Sequence, residues 1–157
     1  MLIRGIILQL GLFFLVCSPA SADDWFCISF AHDSLVESAN RWKTRDGSQG
    51  FAISDQFLFS LAACPETTYD FMRSRPDLLN SWLENLENLS GFAVTRAEGE
   101  AREIALSKLV KAIKSEAPTK STADVRDRIL SRIESMCVRI VDEPAPKPPC
   151  YRVSLNP

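Results

Sequence analysis

Histidine is almost missing from this chain: His32 is the one imidazole in 157 residues. Acid–base chemistry that runs on histidine must therefore use it. Its neighbours Asp33 and Ser34 form no catalytic triad, because triad partners are brought together in space rather than side by side. A Gly-x-Ser-x-Gly nucleophile elbow is also lacking, and His32 reads as a polar residue at a helix N-terminus. No two cysteines stand at the Cys-x-x-Cys spacing, which with a single histidine argues against both a thiol redox pair and a metal site. Charge of neither sign dominates, with 18 basic and 20 acidic residues and no like-charge run. That balance argues against general attraction to nucleic acid or to an anionic membrane.

A long hydrophobic run is lacking too. Residues 1–16 carry one charge, Arg4, and then run almost without interruption on Ile, Leu, Phe, Val and Gly. The apolar part is only about a dozen residues, short of the about 20 that cross a bilayer. Cys17-Ser18-Pro19-Ala20-Ser21-Ala22 follows, with small residues at −1 and −3 of a cleavage point after Ala22, the pattern of a secretory signal peptide. A lipoprotein signal would need a small residue before Cys17 and meets Val16 instead. The expectation is a cleaved signal peptide over 1–22, a helical domain over 23–143 and a Pro-rich tail over 144–157. Export to the periplasm or the extracellular space follows, with a lean towards a Gram-negative periplasm and no membrane span after processing. Losing Arg4 takes the formal charge from −2 to −3, and the remaining 135 residues suffice for one core without metal or oligomer support.

Four cysteines then remain: Cys27, Cys64, Cys137 and Cys150. An even number in an oxidising compartment reads as a disulfide framework. Three pairings are open on sequence alone; the order in which the residues emerge favours Cys27 with Cys64 and Cys137 with Cys150.

Hydrophobic periodicity makes the fold all-α: a compact bundle of five to six helices of unequal length, disulfide-stapled, with an extended Pro-rich C-terminal tail. A helix is expected over 32–43, capped by Asp33 or Ser34. The glycines and small polar residues of 45–50 read as a loop, and Ser54 or Asp55 as the cap of a short helix reaching Ala63. In that helix Phe57, Leu58, Phe59 and Leu61 surround most of the circumference, as in a segment buried on nearly all sides. Pro65 and Pro76 suit the first turns of two further helices. In the second, Leu78, Leu79, Trp82, Leu83, Leu86 and Leu89 form one apolar stripe, and Ser90-Gly91 stops it. Thr95 and Glu98 make a capping box for a helix reaching about Glu116, with Leu106, Leu109, Val110 and Ile113 inward. After Pro118, Ser121 and Asp124 resemble a second box before a helix extending to about Val141, and the prolines from 144 onward impose extended chain as far as Cys150.

The remaining chemistry-bearing residues are read blandly. Glu84, Glu87, Glu98, Glu100 and Glu103 are solvated helix faces or caps. The tryptophans Trp25, Trp42 and Trp82, with Tyr69 and Tyr151, are core aromatics before they are a sugar platform, with Trp42 the freest. Arg128, Arg132 and Arg139 fall on one side of the expected last helix and, with Lys147 and Arg152, offer a positive surface for an acidic partner. Arg126 falls inside the apolar sector of the same wheel, which calls for a buried carboxylate or a helix turn that projects past the core. The functional expectation is a non-enzymatic protein–protein interaction module of inhibitor, immunity or accessory-subunit type, with no catalytic residue and no cofactor. The alternative is a carrier of an apolar small ligand, whose cavity Phe57, Phe59, Leu61, Leu83 and Met136 would line; a hydrolase stands third.

Overall fold

A computed structural model of the chain describes residues 26–144. The expectations for the signal peptide, Trp25, Lys147, Cys150, Tyr151, Arg152 and the Pro-rich tail fall outside those residues.

Six α-helices hold most of the described chain, as the periodicity requires. A π-helical segment, Phe26–Ala31, leads into α1 (His32–Trp42). Then come α2 (Gly47–Ala63), α3 (Pro65–Arg73), α4 (Pro76–Ser90), α5 (Arg96–Ser115) and α6 (Ala123–Ser135). Two short strands, β1 (Phe92–Ala93) and β2 (Arg139–Ile140), pair in parallel with Phe92 opposite Arg139 and Ala93 opposite Ile140. Among the described residues no helix is long and apolar enough to cross a membrane.

The punctuation is physical. Pro65 and Pro76 each stand in a first turn, where the missing N–H has no partner to lose. Gly91 ends α4 for a different reason: a Cβ there would stand 2.5 Å from the Glu87 carbonyl oxygen and 3.0 Å from that of Cys137. Only glycine lets the two chain segments approach so closely. Thr95 accepts from the Glu98 N–H at 3.2 Å, and the Glu98 carboxylate reaches back to the Val94 N–H at 2.9 Å, one residue further out than in the usual box.

Three sequence expectations fail at helix ends. Helix α1 has no side-chain cap, because the π-helical turn runs straight into it and supplies acceptors that Asp33 or Ser34 would otherwise provide. The loop of 45–50 is mostly helix: Asp46 accepts from the Gln49 N–H and from the Ser48 hydroxyl, both at 2.8 Å, and starts α2 one residue later. That cap offsets the helix-weakening effect of Gly47 and Gly50. Gly50 serves packing, since a Cβ there would meet the Leu89 side chain at 3.1 Å. Ser54 and Asp55 accordingly lie inside α2. Helix α6 also stops early, and without the cap expected from Ser121 and Asp124. Met136, Cys137 and Val138 stay buried in extended chain, and β2 pairs alongside β1, with Arg139 N donating to Gly91 O at 2.7 Å just before β1 and Val141 N to Ala93 O at 3.0 Å.

The core gathers around Phe57, Trp82, Tyr69, Leu79, Leu86, Ile113, Ile129 and Ile133, all 1 % exposed or less. Phe57 lies between Trp42 and Trp82, tilted against the first and edge-on to the second, with ring centroids 5.9 and 5.5 Å apart. The Trp82 indole N–H donates to Ser54 at 3.0 Å, Ser54 shares a hydrogen bond with Ser90 at 2.7 Å, and Ser90 donates to Asp55 at 2.9 Å. A polar thread thus runs from the core to the Asp55–Arg102 ion pair at the surface. Phe59 breaks the expectation of all-round burial at 62 % exposed. Cys27 and Cys64 form a disulfide that ties the π-helical segment to the α2–α3 joint. Cys137 is not a free thiol either; its expected pairing with Cys150 falls outside the described residues.

Candidate functional site

The expected arginine stripe is not one helix face. Arg128 and Arg132 lie on α6, whereas Arg139 has moved onto β2, and all three lean on α4. Arg128 donates to Asn80, Arg132 to the Leu83 carbonyl at 2.8 Å and to Glu87 at 3.4 Å, and Arg139 to Asn88 at 2.7 Å. They tether the last helix and strand to the polar side of α4. The groove beside them, lined by Glu84, Asp124, Asp127, Arg128 and Arg132 among others, has three acids against two arginines. Its field is therefore mixed rather than positive.

Arg126 answers its sequence puzzle by a third route. Its guanidinium donates to the Ile113 carbonyl at 2.9 Å, near the C-terminal end of α5, where a helix dipole favours a cation. Its carboxylate partner, Asp127 at 2.8 Å, is exposed rather than buried. Beside it, burial first and the Glu116 carboxylate second push the Tyr69 phenol up to about 12. Burial also raises Glu116, against the opposing pull of Arg126. A phenol held that high stays protonated at neutral pH and supplies no base. His32 is half exposed, 3.8 Å from the Asp33 carboxylate, with its ring edge-on to Phe71. Among the described residues, no three His, Cys, Asp or Glu side chains stand where they could hold a metal ion.

Positive charge collects elsewhere. A cleft of about 560 Å³ opens between the C-terminal end of α1 and the α3–α4 joint. Val36, Ala39, Trp42, Pro76 and Leu78 give it apolar walls, and Asn40, Ser74 and Ser81 bring neutral polar groups. Lys43, Arg45 and Arg75 line it against one acid, Asp77. Trp42 is not free at the surface: it is 3 % exposed, against 0 % for Trp82, and its indole N–H donates to Ser81 at 3.2 Å.

Both arginines of the cleft are held flat. The Arg45 guanidinium lies 3.6 Å above the Trp42 ring centroid and donates to the Trp42 carbonyl at 2.6 Å. The Arg75 guanidinium lies 3.9 Å above the Phe71 ring and donates to the Ser74 hydroxyl at 2.7 Å. Stacking on an aromatic face fixes a guanidinium while leaving its edge free to bind. Lys43, Arg45 and Arg75 make no ion pair among the described residues. No family model, curated protein or solved structure matches this chain. The site therefore stands on its own geometry, which suits recognition of an anion at the edge of an apolar cleft.

Sequence reasoning named neither Arg45 nor Arg75. A local signal exists for both: Arg45 follows Trp42 by three residues and Arg75 follows Phe71 by four, the spacings at which side chains meet along a helix. The decisive step, which brings the two pairs to one cleft, is tertiary.

Proposed function

We propose that this protein is an exported, disulfide-stapled helical module that acts by binding an acidic partner protein rather than by catalysis, and that the partner docks at the Arg45–Arg75 cleft. The observation that supports this most is the pair of stacked guanidiniums without a carboxylate of their own. Ordering an arginine on binding costs conformational entropy, and these two are already ordered. The disulfide fits an oxidising compartment, and the signal-peptide pattern of 1–22 supplies the route out. A carrier of a wholly apolar ligand has less support, because Phe59 faces solvent while Phe57 and Leu61 fill the core.

Affinity capture from the protein's own host tests the reading when three baits are compared. The unaltered chain should retain a partner whose binding weakens with salt, and Arg45→Met with Arg75→Met should lose it. Arg128→Ala with Arg139→Ala should retain it. Loss with the second pair and not the first would move the docking surface to the α4–α6 face.

A further inference from the structure

A second feature of the cleft narrows the chemistry of what enters it. Flat acidic surfaces are met by flat basic ones, yet here the cations stand at the edge of a concavity of about 560 Å³ whose half-exposed apolar lining includes Val36 and Leu78. A carboxylate reaching Arg45 or Arg75 therefore brings whatever it is attached to into contact with apolar surface. Glutamate and aspartate side chains present a carboxylate on a short stem and leave such a lining uncovered. A chain end differs, because its α-carboxylate and its last side chain spring from the same Cα. One group can meet the guanidiniums while the other covers the half-exposed Val36 and Leu78 side chains.

On the reading that the cleft is the docking site, we infer that it takes the C-terminal residue of a partner polypeptide, with an apolar last side chain on the Val36–Leu78 wall and the α-carboxylate on Arg45 and Arg75. The polar rim suits the rest of a chain end. Ser81 accepts the Trp42 N–H at 3.2 Å, which leaves its own hydroxyl proton to donate, and Asn40 is exposed beside it with both a donor and an acceptor. Each guanidinium uses one nitrogen, Nη1, for its protein contacts, so the outer edge of the fork stays open for a carboxylate.

The test uses the full oxidised protein and two acetylated tripeptides, Ala-Ala-Phe ending in a free carboxylate and the same peptide ending in an amide, titrated by calorimetry or by NMR. The free acid should bind at least about tenfold more tightly, the range of a charge-assisted hydrogen bond. Arg75→Met should shrink the difference between acid and amide, and Arg45→Met with Arg75→Met should remove it. Leu78→Glu, which places a negative charge on the apolar wall of the cleft, should abolish binding of the acid. Arg73→Met, outside the cleft, should change nothing. Circular dichroism of each variant guards against loss of the fold.

Equal binding of acid and amide, or no binding of either up to millimolar concentration, would overturn the inference. If 3-phenylpropionate binds as tightly as the peptide acid, the cleft belongs to small free carboxylic acids and the chain-end assignment fails. Partner capture separates this from failure of the wider reading. Capture lost in the Arg45→Met, Arg75→Met protein, with acid and amide bound alike by the unaltered protein, keeps the docking site and removes the chain end. Capture unchanged in that variant, with the peptides distinguished by the unaltered protein, removes the partner docking and keeps a carboxylate site.

Discussion

The Tyr69 hydroxyl is buried beside Arg126 and Glu116, on a residue 1 % exposed, and has no hydrogen-bond partner among the described residues. A buried polar group left unsatisfied costs free energy that a phenylalanine of the same shape does not. Tyr69→Phe should therefore hold or raise stability at neutral pH, by up to about 1 kcal/mol, as read from urea denaturation. The pH dependence has a definite sign. The folded phenol titrates at about 12 rather than 10, so its contribution is complete below pH 10 and is lost as the pH rises through 12. The alkaline fall in stability between those values should be shallower in Tyr69→Phe, and an unchanged profile would mean that the phenol ionises as easily folded as unfolded. Single residues of this kind were the least legible in the sequence. Ser54 read as a helix cap and proves to be the buried acceptor for Trp82, because a serine's own sequence surroundings do not say which distant indole will need an oxygen.

At the scale of elements, legibility followed the strength of the local pattern. The α4 stripe and the Thr95 cap of α5 appear as expected, since a 3.6-residue period and a Thr-x-x-Glu pair are both local signals, although Glu98 closes on Val94 rather than on Thr95. The start of α2 and the end of α6 were misjudged where two local rules compete. Two glycines favour a turn, but the Asp46 cap and the packing of Gly50 on Leu89 outweigh them. The apolar residues after Ser135 continue a helical period, yet serve equally as a buried extended segment once β1 offers hydrogen bonds. The α5 cap allows a direct measurement. Thr95→Ala should cost about 1 kcal/mol and increase amide exchange in the first turn of α5. The backbone N–H of Val94, first, and then Arg102 hold the Glu98 carboxyl below the usual glutamate range. Its contribution is thus present above that range and fades as the pH falls through the lowered value. Glu98→Gln should flatten that part of the acid limb, and an acid limb identical to the unaltered protein's would remove Glu98 from the cap.

The whole molecule depends on contacts between segments far apart in sequence, which composition cannot show. The helical period gathers Arg128, Arg132 and Arg139 on one expected helix, whereas the structure builds its positive cleft from two joints, residues 43–45 and 74–76. The position of α1 decides whether that cleft exists, and α1 is anchored through the π-helical segment by the Cys27–Cys64 bridge. The bridge closes a separation of 37 residues, which in the chain-entropy model stabilises by about 4 kcal/mol. Replacing both cysteines by serine should lower unfolding free energy by roughly that amount, in chemical denaturation at a pH where the unaltered protein unfolds reversibly. The loss should also be local. Core contacts of Phe57, Trp82 and Ile129 do not pass through the bridge, so α2 to α6 should keep most of their hydrogen-exchange protection while residues 26–42 lose theirs first. Because Trp42 and Arg45 follow directly on α1, peptide binding at the cleft should weaken in the same variant in step with the protection lost in α1. If exchange in α1 is unchanged without the bridge, packing of Leu35 and Trp42 alone fixes that wall, and the disulfide acts on the unfolded chain only.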